Sequence, residues 1–309
     1  MKWIKRAKIF QAAGQSEWMN SHAQIPTVLV KEDRLRIYFA TRPKRNLSLT
    51  TFLDVDIDDP MRILYIHDKP ILDLGRPGMF DEHGIMPSYV CENEGQVWLY
   101  YGGWSRREDI PYSNWTGLAI SHDGGITFEK YSPGPIFDRT PTEVYSATGG
   151  SILKENDTWH MWYAAGVDWI EVQGKLEEYY VIKHAFSQDG IHWIRDDRKL
   201  LSSHRDYEPT HRPTVFFHQG RYHMHFCYRG ITDFRDGTNS YRMGYAYSDD
   251  LQEWTRNDHL AGIAPSDDGW DSKMIAYPYV VKVKNKFLLF YNGNGFGQSG
   301  FGFAQMEDD

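Results

Sequence analysis

The apolar positions of this chain fall in short runs, many alternating with polar residues and separated by clusters of Gly, Pro, Asp, Asn and Ser. No stretch sustains the spacing of a helical stripe, so the pattern predicts strands and hairpins throughout. Aligned on itself, the chain repeats with a period of roughly 62 residues, long for the blade of a repetitive β fold and consistent with extended loops on one face. A Pro or Gly marks each unit: Ile25-Pro26-Thr27-Val28, Met86-Pro87-Ser88-Tyr89, Gly149-Gly150-Ser151-Ile152, Arg212-Pro213-Thr214-Val215 and Tyr277-Pro278-Tyr279-Val280. Pro is tolerated at the first residue of a strand, so these markers are expected to open the first strand of each unit.

A polar turn follows each marker, for example Glu92-Asn93-Glu94-Gly95 or Lys284-Asn285-Lys286. An aromatic-rich strand comes next, such as Trp98-Leu99-Tyr100-Tyr101 or Leu288-Leu289-Phe290-Tyr291. These read as hairpins. Later in the unit, Ser121-His122-Asp123-Gly124, Ser187-Gln188-Asp189-Gly190 and Ser248-Asp249-Asp250 join a third strand to a fourth, with Phe128, Trp193 and Trp254 soon after. The turn resembles the Asp-box of sialidase-type propellers, and its Asp and Gly are what a tight hairpin requires, so its role is structural. Trp3-Ile4-Lys5-Arg6 matches Trp193-Ile194-Arg195-Asp196, and Gly302-Phe303-Ala304-Gln305 matches Gly244-Tyr245-Ala246-Tyr247. The fold expected is all-β: a five-bladed β-propeller of four-stranded antiparallel blades, one domain over residues 1–309, its last blade closed by the N-terminal strand so that no seam is left open.

Composition adds limits to this picture. Aromatic residues make up 15 % of the chain, which favours strands over helices. The net charge of −8 is spread along the sequence without a basic stripe, which argues against nucleic acid and an anionic membrane surface as partners. Met1 to Phe10 alternates charged and apolar residues, unlike a signal peptide, and no segment approaches membrane-spanning length, so a cytoplasmic location is expected. Cys91 and Cys227 lie in apolar strand patterns without metal-ligand spacing and read as reduced core residues. Nothing in the sequence specifies an oligomeric state.

In a four-stranded up-and-down blade, the loop entering strand one and the loop between strands two and three share a face, opposite the Asp turns. Entry loops on that face carry His22 and Gln24; Asp81, Glu82 and His83; Glu143 and Ser146; Asp206, Glu208 and His211; and Asp271 and Lys273. Glu143, Asp206 and Asp271 stand at matching distances from their markers. The other loops begin at Arg42, Trp104 with Arg106, Asp168 with Trp169, Arg229, and Asn292 with Asn294. Flat aromatics for sugar CH surfaces and fixed polar groups for hydroxyls suit a small carbohydrate, with Arg212 and Tyr277 among its contacts. No cofactor is required by these residues, although the matched His22 and His83 allow a structural ion in the central channel.

Five repeated units, Pro-marked inner strands and acids on one face together resemble the five-bladed propeller glycosidases and phosphorylases of glycoside hydrolase families 43, 32 and 130. The likeness covers nearly the whole chain. In families 43 and 32 an essential Asp directly precedes the first inner-strand Pro and an acidic Glu lies just ahead of a later one. Here Gln24-Ile25 precede Pro26 and His211-Arg212 precede Pro213. Trp18-Met19-Asn20 resembles the start of the family-32 nucleophile motif, with Ser21 where that motif has Asp.

The resemblance implies a glycoside hydrolase-like enzyme whose acids come from the outer entry loops: Asp81, Glu143, Glu208 and Asp271. Inversion needs a protonated carboxyl on the leaving oxygen and a carboxylate across the sugar, roughly 6.5 to 9.5 Å apart; Glu143 is assigned as acid and Asp271 or Asp81 as base. Phosphorolysis or sugar transfer would instead hold a phosphate on Arg212, Arg229, Arg42 or Lys273. A non-catalytic glycan-binding propeller is the third reading, motivated by the missing Pro-adjacent acids.

Overall fold

A computed structural model describes residues 1–235 and 237–307. It is built from strands: β1 (Trp3–Phe10), β2 (Ser21–Val30), β3 (Arg34–Arg42), β4 (Leu49–Asp56), β5 (Ile63–Ile66), β6 (Gly84–Asn93), β7 (Gln96–Arg106), β8 (Tyr112–Ser121), β9 (Glu129–Lys130), β10 (Ala147–Glu155), β11 (Thr158–Val172), β12 (Lys175–Ser187), β13 (Ile194–Arg195), β14 (Thr210–His218), β15 (Arg221–Tyr228), β16 (Arg242–Ser248), β17 (Thr255–Arg256), β18 (Ala276–Val283), β19 (Lys286–Asn292) and β20 (Phe301–Met306). Antiparallel pairing groups them as β2-β3-β4-β5, β6-β7-β8-β9, β10-β11-β12-β13, β14-β15-β16-β17 and β18-β19-β20-β1. A single parallel bridge, Ala147 to Trp115, joins the second and third groups into one eight-stranded sheet. The first strands β2, β6, β10, β14 and β18 touch in succession, and β18 touches β2.

The core lies between successive groups. Tyr38, Phe52, Leu99 and Phe128 pack between the first and second, Trp98, Tyr100, Trp159 and Tyr163 between the second and third, and Trp3, Phe216, Tyr245 and Leu289 between the fourth and fifth. Each such side chain contributes about 1.5–3 kcal/mol by leaving water, which is why aromatic strand residues recur with the repeat. The Asp turns fasten neighbouring groups. Asp123 accepts hydrogen bonds from the Thr127 hydroxyl and from the backbone N–H groups of Thr127 and Ile126, which outweigh its partial desolvation and hold its carboxyl below the usual carboxylate range, while Tyr38 of the preceding group donates to the Gly125 carbonyl at 2.6 Å. Tyr100 and Gly190 repeat that contact at 2.9 Å.

The Pro markers do not open strands. Pro26, Pro87, Pro213 and Pro278 lie inside β2, β6, β14 and β18, and the pairing register slips at or next to each, and likewise at Gly149/Ser151. They sit at β-bulges, where Pro is also tolerated because the ladder is interrupted. Three residues preceding these prolines, Ile25 (φ 58°), Arg212 (φ 53°) and Tyr277 (φ 56°), adopt the left-handed region that non-glycine residues rarely occupy. The bulges thereby re-aim the side chains at the start of each first strand.

Candidate functional site

At the end where the first strands begin lies a cavity of about 540 Å³. All five groups line it: Gln24 and Arg42 from the first, Met86, Trp104, Arg106, Tyr112 and Asn114 from the second, Ser146, Thr148, Glu178 and Tyr180 from the third, His211, Arg235 and Tyr241 from the fourth, and Tyr277 from the fifth. Its size suits a small ligand, for which pockets run roughly 300–1,000 Å³. A cleft of about 590 Å³ lies at the other end, against the β18–β19 turn at Lys284 and Asn285. Its Asp58 is largely exposed and tied to Lys284, so it lacks the convergence of buried polar groups that marks the first cavity.

Glu178 is the one carboxylate lining the cavity among the described residues. It is supplied by β12 of the long β11–β12 hairpin, whose alternation runs unbroken opposite the extra residue that β11 carries between Gly166 and Asp168. Alternation then turns Glu178 and Tyr180 into the cavity and Glu177 away, where it is held by Arg235 at 2.6 and 3.0 Å. Burial raises the Glu178 carboxyl above the ordinary glutamate value, against the hydrogen bonds from Ser146 and Tyr112 and the nearby Arg229 charge, which favour the anion. Tyr180 and Tyr241 share a hydroxyl hydrogen bond, and the Arg229 Nε donates to the Tyr180 hydroxyl at 3.2 Å. Burial pushes the phenols of Tyr112, Tyr180, Tyr241 and Tyr277 upward, so they remain neutral donors.

The rest of the wall is aromatic and cationic. Trp104 stacks on His83, and the Arg106 guanidinium lies 6.0 Å from the centre of the Trp104 ring. His211 packs edge-on against Tyr180 and Tyr277; burial first, then Arg212 and Arg229, lower its imidazole to about 3, so it is neutral, and its Nδ1 has no hydrogen-bond partner. Arg42 donates to Gln24 at 3.0 Å.

Of the residues expected at the site, Gln24, Arg42, Trp104, His211 and Tyr277 line the cavity, and His83 and Trp169 adjoin it, His83 stacked on Trp104 and Trp169 edge-on to Tyr112. His22 bonds to Ser21, and burial with the Arg42 charge lowers it to about 4. Arg229 stands behind the wall, donating to the Gly230 and Glu178 carbonyls. Arg212 reaches Thr27 at 2.9 Å, Ser88 at 3.3 Å and Gly150 at 3.4 Å, and lies 5.7 Å from the centre of the Tyr279 ring. It thus contacts the first strands of all five groups, where the structural ion was expected, and a fixed guanidinium there repels a second cation. Among the described residues no cluster of three or more His, Cys, Asp or Glu is arranged to hold a metal. Three expectations move away from the cavity. Asp168 is exposed and caps its own neighbour's N–H, Lys273 is exposed with its N–H bound to Asn294, and Asn292 is buried, locking Ile25, Ala23 and Gly300.

The four assigned catalytic acids do not meet. Each is buried in its own group against a cation of the outermost strand, Asp81 with Lys130 at 2.6 Å, Glu143 with Arg195 at 2.9 Å, Glu208 with Arg256 at 2.6 Å, and Asp271 with Lys5 at 2.6 Å, and Glu143 also meets Lys183 of β12 at 2.8 Å. Tyr101, Tyr163 and Tyr291 donate to three of them. None lines the cavity. Glu208, rather than the exposed Asp206, is the structural counterpart of Glu143. A carboxylate repeated in four groups of five with its own cation is part of the repeat, since chemistry needs an acid once. Glu178, Tyr112 and Tyr180, on β12 and β8, and Tyr241, just ahead of β16, were missed by a sequence reading confined to the entry loops and the loops after the second strands. The available signal was the Glu177-Glu178-Tyr179-Tyr180 run after the Gly174 turn, extra to the other units.

No family model matches the chain. Two proteins of Mycobacterium tuberculosis, the uncharacterized protein MT1551 of strain CDC 1551 and the uncharacterized protein Rv1502 of strain H37Rv, are each 34 % identical over 310 residues that span the whole of both chains. Among solved structures, a glycoside hydrolase superposes with a TM-score of 0.76 at 18 % identity, covering 99 % of this chain and 93 % of its own. A thermostable family-43 glycoside hydrolase gives 0.67 at 17 %, covering 94 % and 91 %. The Bombyx mori GH32 beta-fructofuranosidase BmSUC1 gives 0.60 at 13 %, covering 93 % and 61 %. At such identities the likeness is one of fold, a glycosidase-type all-β architecture.

Proposed function

We propose a glycoside-active enzyme for this chain, which belongs to the family of the uncharacterized mycobacterial proteins Rv1502 and MT1551. The arrangement is read as a single five-bladed propeller whose last blade includes the N-terminal strand, with a small oligosaccharide or sugar conjugate held in the cavity around Glu178. The observation that carries this reading is a buried carboxyl, raised above the ordinary glutamate value, in an aromatic cavity open at one end. A carboxyl that holds its proton more tightly than an ordinary glutamate is suited to protonate a leaving glycosidic oxygen, as the bond from the anomeric carbon breaks with its electrons going to that oxygen and a water adds to the carbon, releasing its proton to solvent. Trp104, Tyr112, Tyr180 and Tyr277 offer faces for sugar CH surfaces, and their polar tips with Asn114 and Ser146 sort hydroxyls.

This replaces Glu143 by Glu178 as the acid. The test is release of aglycone or reducing sugar from a panel of aryl glycosides and small oligosaccharides by wild-type and Glu178→Gln protein. The variant is expected to lose roughly 10²–10⁴-fold in rate, the scale of a general acid. Equal rates in the two proteins would overturn the assignment, and thermal stabilisation by a saccharide that the wild type never turns over would favour a binding protein.

A further inference from the structure

A net charge of −8 makes the protein acidic as a whole, yet the cavity and the shell behind it are cationic. Arg42 and Arg106 line the cavity, and Arg212 and Arg229 lie buried behind His211. Among the described residues none of the four forms an ion pair with a carboxylate; they donate to neutral oxygens of Gln24, Asn46, Thr27, Ser88, Tyr180 and backbone carbonyls. Arg235 is neutralised by Glu177, and Glu178 is the remaining acid. Guanidiniums do not lose their proton under physiological conditions, so this is positive charge with no carboxylate in ion-pair contact, buried at Arg212 and Arg229 and reaching solvent at Arg106. Its field is felt at the wall: Arg212 and Arg229 both depress His211, and Arg42 depresses His22. The His211 Nδ1, fully buried, points to no protein partner.

We propose that the ligand of this cavity carries an oxyanion, held by Arg42 and Arg106 beside Glu178. The inference deepens the glycoside reading by naming the ligand's chemistry. Planar guanidiniums match carboxylate and phosphate oxygens in a fork geometry that neutral hydroxyls do not exploit. The oxyanion has two sources, an acidic residue of the saccharide itself or inorganic phosphate taking the place of water as nucleophile, and they separate experimentally.

Calorimetric titration of the full-length wild-type protein with glucuronate, with inorganic phosphate and with glucose as the neutral control tests the proposal at low and high salt. Glucuronate or phosphate is expected to bind at least tenfold more tightly than glucose, to weaken with salt, and to weaken at least tenfold in Arg42→Gln or in Arg106→Gln, the latter altering an exposed side chain. Glucuronate binding without phosphate binding identifies an acidic sugar, and phosphate binding alone identifies the inorganic ion. Glucose binding as tightly as either anion, or anion binding unchanged in both variants, overturns the proposal. Binding is read without turnover, so Glu178→Gln separates the two conclusions: a variant that still binds the anion but keeps full turnover removes Glu178 as the acid and leaves the oxyanion site standing.

Discussion

Replacing Glu143 by Gln distinguishes a structural acid from a catalytic one. Its side chain is 2 % exposed and accepts from Tyr163 at 2.8 and 3.0 Å, while Lys183 and Arg195, 16 % and 9 % exposed, sit at 2.8 and 2.9 Å. Gln is nearly isosteric and keeps an acceptor for Tyr163, so packing is little changed. What is lost is the negative charge between two cations, one of which lies 3.8 Å from the centre of the Phe137 ring. Removing one partner of a buried ion pair costs about 3–5 kcal/mol because the other charge stays desolvated. With roughly 2 °C of melting midpoint per kcal/mol at this chain length, Glu143→Gln is expected to melt roughly 6–10 °C below the wild type. Differential scanning calorimetry at neutral pH reads this directly. Adding Arg195→Met to Glu143→Gln removes one of the stranded charges and should restore part of the midpoint, a coupling that only interacting residues display. A Glu143→Gln protein that melts with the wild type but has lost turnover would refute the reasoning and return Glu143 to the chemistry.

Two further expectations concern the whole fold. Buried His211 and His225 are lowered to about 3 and His22 to about 4, so the unfolded chain binds protons that the folded chain does not; stability should therefore fall as the pH drops below the ordinary histidine value of 6.5, by up to about 1.4 kcal/mol per pH unit per histidine, and urea unfolding at pH 7.5, 6.0 and 5.0 checks the sign. Deleting residues 1–10 removes the partner of β20 and the Lys5 counterion of Asp271, and should abolish the cooperative thermal transition followed by circular dichroism rather than lower it slightly; a truncated chain that melts within about 2 °C of the full chain would exclude the N-terminal strand as an integral part of the fold.

Strand alternation, turn chemistry and the repeat were legible along the chain because they act between residues near in sequence. They located the hairpins, the Asp turns and the match of Trp3-Ile4-Lys5 to Trp193-Ile194-Arg195, which the β1–β20 pairing reflects. The same match carried a signal that local reading leaves unused. Phe128-Glu129-Lys130, Trp193-Ile194-Arg195, Trp254-Thr255-Arg256 and Trp3-Ile4-Lys5 each place a cation two residues after an aromatic, and each cation neutralises the entry-loop acid of its own group. The cavity depended on what no local rule contains. Bulges at the Pro markers shift the strand phase by one residue and turn His211 and Tyr277 to the wall, while Glu178 faces inward on the same side of β12 as Tyr180, two residues away. A one-residue shift exchanges the two faces of a strand, so which side chains face the cavity was decided by the tertiary register, where residues from five strand groups meet.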